Sequence, residues 1–213
     1  MHLVFNVLVI CDVEAVAACC TLSLHWLSCF CRQLEFGKIL QPSLGLPDTW
    51  SNLSQLSIFS YGGFSLDLPR LTGNLPASWG AMTNLVNFQA YSAPTLPDVC
   101  SLSGPLPDAW NGMLQLQSLG LRGCKITGTL PESWRNMPQL ASVTVTYNQL
   151  TGTLPASWAA LTNLSAVRLS NNRLSGSVPE SWDGMSYLGY VALVNDTHTS
   201  NITATWSSTN CKF

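Results

Sequence analysis

Few side chains of this chain combine the residue types and spacings that catalysis or metal binding requires. The three histidines are His2, His25 and His198. No metal-ligand spacing, phosphate-binding glycine loop or nucleophile motif accompanies them. Four carboxylates do share one place, directly after the proline of a repeated L/V-P-x-x-W phrase: Asp48, Asp108, Glu132 and Glu180. A carboxylate there favours the dipole of a short helical turn, so the sequence predicts structural acids, no enzymatic activity, no metal site and no cofactor.

The element that positions those carboxylates is a repeated phrase. It reads GTLPESW, GTLPASW and GSVPESW, and its prolines Pro131, Pro155 and Pro179 are 24 residues apart. Between the phrases, apolar residues keep one frame. The first copy is Leu140, Val143, Val145, Asn148 and Leu150, and the second is Leu164, Val167, Leu169, Asn172 and Leu174. A fixed period of this length is typical of a solenoid built from stacked coils.

The frame L-x-x-L-x-L-x-x-N-x-L and the phrases LTGTLP and LSGSVP resemble plant-type leucine-rich repeats. The resemblance covers roughly residues 44–195. It implies an α/β repeat fold, a leucine-rich-repeat solenoid with a right-handed coil, a parallel β-sheet on the concave face and short helical or 3-10 turns on the convex side. Plant receptors usually have Leu where this chain ends the phrase with Trp, and the LPxxW version looks more like repeats of green algae and protist surface antigens.

A tryptophan ends the phrase in six coils. These residues are Trp50, Trp79, Trp110, Trp134, Trp158 and Trp182. One repeat position recurs on the same side of successive coils. We therefore expect each ring to pack on the neighbouring coil, against the segment that leads from one strand back to the next. The tryptophans are therefore predicted to be core residues.

The position seven residues before the repeat proline is expected to hold the turn by hydrogen bonds. Asn148 and Asn172 occupy it in two coils, and their amides should bond to the backbone. Cys100 and Cys124 occupy it in the two preceding coils. The favoured interpretation is that each Cys replaces Asn as a small buried donor, because parallel side-chain directions disfavour a bond between them. A disulfide stays open as the alternative, since neighbouring rungs about 4.8 Å apart are close enough for one.

Four segments follow from the pattern. Residues 1–31 form a hydrophobic, cysteine-rich leader, 32–49 a degenerate first coil or cap, 50–195 the solenoid, and 196–213 a polar tail or cap. The leader has three interpretations, namely a signal peptide, a membrane anchor or a wrongly assigned start. Longer proline spacings indicate insertions near residues 62–69 and 91–100, which are predicted to form adjacent loops on one face of the solenoid.

Composition narrows the class of partner and the compartment. Only 9% of the residues are charged and the net charge is −2, so a nucleic-acid partner is not expected. Four N-x-S/T sequons give glycosylation candidates at Asn52, Asn163, Asn195 and Asn201. They predict the secretory route and an extracellular or cell-surface location, with a cytoplasmic location as the alternative.

The side chains between the leucines of each predicted strand should face solvent on the concave face. The candidate ligand-binding residues there are Asn87, Gln89, Tyr91, Gln117, Arg122, Thr144, Thr146, Tyr147, Arg168, Ser170 and Tyr190. Rows of amides and hydroxyls interleaved with tyrosines and arginines suit a protein, peptide or glycan ligand, because aromatic and Arg side chains often dominate binding energy.

The sequence thus predicts an extracellular or cell-surface, receptor-like recognition module. Two alternatives belong to other classes, a glycosylated structural surface protein without a specific ligand and an intracellular scaffold. Membrane association, through residues 1–31 or through an anchor outside this chain, is an additional expectation.

Overall fold

The computed structural model of the chain describes residues 33–35, 43–63, 70–92 and 100–194. Its strands, in chain order, are β1 Gln33–Glu35, β2 Ser43–Gly45, β3 Ile58–Gly63, β4 Arg70–Asn74, β5 Asn87–Ser92, β6 Cys100–Pro105, β7 Ser118–Arg122, β8 Lys125–Thr127, β9 Ser142–Thr146, β10 Ala166–Arg168 and β11 Tyr190–Ala192. They form two sheets, one of seven strands in the order β1-β3-β5-β7-β9-β10-β11 and one of four in the order β2-β4-β6-β8.

All strand pairs in both sheets are parallel, and neighbours in a sheet come from successive coils. The register joins equivalent frame positions: Phe59, Phe88, Leu119, Val143, Val167 and Val191 pair in that order along the seven-stranded sheet. Each coil therefore supplies one strand to this sheet, and the next coil places its strand beside it, as in a stack of repeats. The predicted leucine-rich-repeat solenoid, with its parallel sheet and short helical turns, is confirmed.

Short 3-10 helices carry the chain from the end of each repeat phrase towards the next strand. Those in the described residues are Asp48–Asn52, Ala77–Ala81, Asp108–Gly112, Glu132–Asn136, Ala156–Ala160 and Glu180–Gly184. Each follows a proline in extended conformation, as at Pro131 with φ −70° and ψ 124°. The N–H of Trp134 bonds to the carbonyl of Pro131 and the N–H of Met137 to that of Trp134. These three-residue bonds produce a 3-10 turn, which is stable only in short pieces.

The six tryptophans form a ladder along the core, as predicted. Five of them are at most 1% exposed, and Trp50 in the first described coil is 7% exposed. From Trp110 onwards the indoles stack almost parallel, and their ring centroids are 6.1–6.4 Å apart. The Nε1 of Trp158 donates to the carbonyl of Pro131 in the preceding coil at 3.0 Å, and four other tryptophans repeat this bond. Each buried indole N–H therefore has a partner, as burial requires.

The two predicted ladder asparagines bond as expected. Asn172 is 3% exposed. Its Nδ2 donates to the carbonyls of Val145 and Leu169, and its Oδ1 accepts from the N–H of Leu150. Asn148 makes two equivalent bonds one coil earlier, to the carbonyl of Leu121 and from the N–H of Ile126, and its Nδ2 also donates to the carbonyl of Thr146. One side chain thus satisfies three buried backbone groups, which would each be costly without a partner.

Cys100 and Cys124 form a disulfide, so the favoured expectation of two separate thiols is wrong. Their Cα atoms are 4.9 Å apart, as expected for neighbouring rungs. Parallel side-chain directions do not prevent the bond, because Cys100 lies in β6 and Cys124 lies outside a strand, between β7 and β8. The Sγ of Cys124 also lies 3.7 Å from the carbonyls of Ala90 and Arg122, near the groups that an Asn would bond.

The predicted insertions overlap the strands at their edges. Gly62 and Gly63 pair with Tyr91 and Ser92 in the seven-stranded sheet, so the strands extend further than the repeat frame predicted. The rest of the predicted insertions, residues 64–69 and 93–99, lies outside the described residues, as do the leader 1–31 and the tail 196–213. At the base of the second insertion, the N–H of Cys100 donates to the hydroxyl of Ser92 at 2.7 Å.

Candidate functional site: the outer face of the seven-stranded sheet

The seven-stranded sheet has one side in the core and one side towards solvent. In β9, Val143 and Val145 are buried, whereas Ser142, Thr144 and Thr146 are partly exposed. The alternation follows from the pleat, which points successive side chains to opposite faces. We call the outward-pointing residues of β3, β5, β7, β9, β10 and β11, together with Tyr147 after β9 and Ser170 after β10, the sheet face.

The register arranges the sheet face in three rows. The first contains Asn87, Ser118, Ser142, Ala166 and Tyr190. The second contains Gln89, Gly120, Thr144, Arg168 and Ala192. The third contains Tyr91, Arg122 and Thr146. Tyr147 directly follows β9, and Ser170 comes two residues after Arg168, the last residue of β10. Ten of the eleven candidate residues therefore lie on one continuous surface.

Gln117 is the exception among the candidates. It directly precedes β7, and Ser118 has the register position of Asn87. The backbone carbonyl of Gln117 accepts from the N–H groups of Ala141 and Ser142, so this residue joins coils at the entry to the strand. The repeat frame placed the outward-facing residue of this coil at Gln117, one residue before Ser118, which has that position in the structure.

Two arginines of the sheet face stack on two tyrosines. The guanidinium carbon of Arg122 lies 5.2 Å from the ring centroid of Tyr147, and that of Arg168 lies 4.7 Å from the ring of Tyr190. Both distances are within the range of cation–π attraction. Both rings remain accessible, with Tyr147 53% and Tyr190 49% exposed. The sheet face therefore carries two preformed Arg–Tyr pairs.

Tyr147 has a left-handed backbone, with φ 57°. The equivalent residues one coil before and one coil after are Gly123 and Asn171, with φ 65° and 61°. Each of the three donates its N–H to the next coil, so the turn itself demands this conformation. Gly and Asn tolerate the left-handed region, whereas a bulky aromatic residue costs about 1–2 kcal/mol there. The alignment of Tyr147 with a Gly and an Asn was a signal in the sequence that the repeat frame alone did not use.

The carboxylates after the repeat prolines lie on the 3-10 helices, away from the sheet face. The hydroxyl of Ser78 donates to Asp48 at 2.5 Å and that of Ser133 to Asp108 at 2.7 Å. Ser157 bonds Glu132 in the same way. In each case the serine belongs to the next coil. These acids therefore join coils, a role that the dipole argument did not include.

The sequons differ in what their asparagines contact. The Nδ2 of Asn163, the atom that a glycan would occupy, donates to the carbonyl of Pro138 at 2.7 Å. Asn84 has the same place in an earlier coil and makes the same bond to Ser54, although it is not in a sequon. Asn52 is exposed at the end of the first described 3-10 helix. Asn195 and Asn201 lie outside the described residues.

Among the residues that the structure describes, no group of three or more His, Cys, Asp or Glu side chains is placed to hold a metal ion. In that same part of the chain, no helix has the length and apolar character needed to cross a membrane.

The repeat family described as Leucine Rich Repeat matches residues 115–137 and 163–185. Each matched segment begins three residues before a strand of the seven-stranded sheet, β7 or β10, and ends one residue after the next 3-10 helix. No curated protein matches the chain.

Solved structures of similar fold are ectodomains of plant receptors. The leucine-rich-repeat ectodomain of the membrane receptor kinase GASSHO1/SCHENGEN3 from Arabidopsis thaliana, in complex with CASPARIAN STRIP INTEGRITY FACTOR 2, is 29% identical with a TM-score of 0.62, over 71% of this chain and 17% of that one. The ectodomain of the Arabidopsis receptor kinase HAESA, in complex with an IDA peptide hormone ligand, is 28% identical with a TM-score of 0.64, over 77% and 25%.

The plant peptide hormone receptor RGFR1, in complex with RGF2, is 28% identical with a TM-score of 0.58, over 76% of this chain and 28% of that one. This chain therefore spans less than a third of the length of each of these structures. The family match identifies leucine-rich repeats, and the neighbours of similar fold are plant receptors. Both findings agree with the plant-type repeat frame.

Proposed function

We propose that this chain, a plant-type leucine-rich-repeat protein, is a recognition module that binds a protein or peptide partner through its sheet face and catalyses no reaction. Its neighbours of similar fold bind peptide hormones, which supports ligand binding as the general role. A glycan ligand and a purely structural surface role are the competing hypotheses, and the experiments below separate them.

The observation that carries the proposal is Tyr147. A large aromatic side chain stands at a left-handed position, half exposed, where neighbouring coils use Gly123 and Asn171. The fold does not need a tyrosine there, and its backbone conformation costs stability. Residues that are retained in unfavourable conformations concentrate at functional sites. Arg122 lies over the Tyr147 ring, so the side chain is also held in a defined position.

We infer an extracellular or cell-surface location from two features. The Cys100–Cys124 disulfide joins adjacent coils, and disulfides form and persist mainly in oxidising compartments. The exposed sequon at Asn52 is compatible with glycosylation in the secretory route. Both features favour secretion over an intracellular scaffold.

A displayed library of random peptides tests the binding face. Peptides are selected on the full chain and then measured against two variants, Tyr147→Ala on the sheet face and Asn136→Ala on the exposed end of a 3-10 helix. We expect Tyr147→Ala to weaken most selected peptides at least about tenfold, or about 1.4 kcal/mol. Asn136→Ala should not change their affinity. If the selected peptides depend on Asn136 and ignore Tyr147, the proposed face is wrong.

Glycosylation in a secreting eukaryotic host tests the compartment. Treatment with a glycosidase should lower the apparent mass of the secreted wild type. Asn52→Gln should reduce this shift, whereas Asn163→Gln should leave it unchanged, because the Asn163 amide already bonds the preceding coil. Efficient secretion of a chain whose mass never shifts would remove the sequon argument.

A further inference from the structure

We infer that the partner of the sheet face is an acidic, extended peptide whose side-chain carboxylates pair with Arg122 and Arg168. This inference rests on the proposed function, and it adds the charge of the partner and the spacing of its charged groups. Three observations support it. Charge is separated between the sheet face and the 3-10 helices, each of the two guanidinium groups contacts a tyrosine ring, and the two groups have a defined spacing.

Charge is separated between the sheet face and the 3-10 helices. From β3 to Val194, the described residues of the seven-stranded sheet include Arg122 and Arg168 but no Asp or Glu. The acids Asp108, Glu132, Glu180 and Asp183 lie on the 3-10 helices. Glu35 in β1, which registers with Ser60, lies at the far N-terminal edge of the sheet. A surface that carries one sign of charge favours partners of the opposite sign.

Contact with a tyrosine ring positions each guanidinium group. The guanidinium carbon of Arg122 lies 5.2 Å from the centroid of its ring, and that of Arg168 lies 4.7 Å from the centroid of its ring. A guanidinium has five N–H donors, more than contact with one ring uses, so donors remain for a carboxylate. Among the described residues neither arginine has a carboxylate partner, and both side chains are exposed. A preorganised donor loses little freedom on binding, which favours affinity.

The register sets the spacing between the two subsites. Arg122 in β7 is two strands away from Arg168 in β10, and it lies one row further along the strand direction. With about 4.8 Å between strands and about 3.3 Å per residue along a strand, the two Cα atoms are about 12 Å apart. In an extended peptide, residues i and i+4 point to the same side and are about 13 Å apart. Two glutamates four residues apart therefore match the arginines.

A defined peptide tests the inference on the full chain. The probe is a fluorescein-labelled nonapeptide of Gly, Ser and Thr with glutamates at its third and seventh positions, and binding is measured by fluorescence anisotropy. Two matched peptides carry glutamines at these positions, or two adjacent glutamates that point to opposite sides. We expect the spaced-glutamate peptide to bind at least about tenfold more tightly than either, with an affinity that falls as salt rises.

Protein variants locate the contact. Arg122→Gln and Arg168→Gln should each weaken binding of the glutamate peptide about tenfold, whereas Arg135→Gln and Arg173→Gln, which remove exposed arginines elsewhere, should not change it. The charge-reversed pair Arg122→Glu with Arg168→Glu should instead bind the same peptide with lysines in place of the glutamates. This rescue shows that the variant is folded.

Three results would overturn the inference. They are equal binding of the glutamine peptide, insensitivity to both sheet-face arginines, and binding of an oligogalacturonate probe in place of the peptide. The last result would assign the surface to an anionic glycan. Library peptides that need Tyr147 but contain no acidic residue would leave the proposed function standing and remove only the charge of the partner.

Discussion

The coils before Pro107 and those after it build one solenoid with different chemistry. The earlier coils have six-residue strands, β3 and β5, and a disulfide joins the last of them to the first later coil, at positions where the following coils have asparagine. Their core contains Phe59 and Phe88, stacked with centroids 4.8 Å apart, at the register position of later aliphatic residues. The later coils have shorter strands, and their ladder consists of Asn148 and Asn172.

The difference shows that every coil must keep the same backbone geometry, whereas different side chains and bonds can hold that geometry. Insertions interrupt the early coils, and there a covalent bond and large aromatic contacts join neighbours. The later coils repeat every 24 residues, and there Asn148 and Asn172 each donate to a carbonyl of the preceding coil and to one of their own coil. Stability in such a stack is close to a sum of nearest-neighbour terms, so each region can be tested separately.

The largest effect should come from the middle of the regular region. Trp158 stacks on Trp134 and Trp182 and donates to Pro131. Trp158→Ala should therefore lower the free energy of unfolding by about 3–5 kcal/mol. Trp50, which stacks on Trp79 and is 7% exposed, should cost less when replaced. Chemical denaturation measures both, and equal small losses would show that the indoles are not core.

The disulfide should contribute the next largest effect. Cys100→Ala with Cys124→Ala should lower the free energy of unfolding by about 2–4 kcal/mol, because the bond limits the unfolded chain. Cys100→Ala with Cys124→Asn installs the amide of the later coils at the same position. We expect it to recover about 1 kcal/mol or more relative to the double alanine variant. No recovery would mean that an asparagine at this position of the early coil cannot make the hydrogen bonds that Asn148 and Asn172 make in the later coils.

Removal of a ladder amide should have a smaller effect. Asn172→Ala leaves the carbonyls of Val145 and Leu169 and the N–H of Leu150 without this partner. The expected loss is about 1–3 kcal/mol. Hydrogen exchange should show it mainly in the last described coils. Asn136→Ala, an exposed change in the same region, serves as the control and should lie within about 0.5 kcal/mol of wild type.

The smallest stability effect should accompany a large loss of binding. Tyr147→Asn copies the residue that Asn171 provides one coil later. It relieves a left-handed strain of about 1 kcal/mol and loses a cation–π contact of about 0.5–1 kcal/mol, so the two nearly cancel. Thermal unfolding should change little, whereas affinity for sheet-face peptides falls at least about tenfold. Lost stability with unchanged binding would make Tyr147 structural.

The repeat frame predicted whatever recurs in every coil. The solenoid, the six core tryptophans and the bonds of Asn148 and Asn172 follow from residue spacing, because one geometry is used many times. The disulfide was not predicted, since it depends on the side-chain directions of Cys100 and Cys124, which residue spacing does not specify. The Arg–Tyr pairs could not be predicted either. They join the third row to the turn after β9 and the second row to the first, and such diagonals depend on side-chain direction.

The bond from each indole to the proline carbonyl of the preceding coil has a consequence for how the chain can change in length. The donor and the acceptor have fixed places in the 24-residue unit, as in the pairs Trp158–Pro131 and Trp182–Pro155. A unit copied or deleted as a whole between two such prolines brings its own donor and acceptor and leaves no buried N–H without a partner. Recombination can therefore change the number of 24-residue units in the regular region, and the contacts between neighbouring units stay the same.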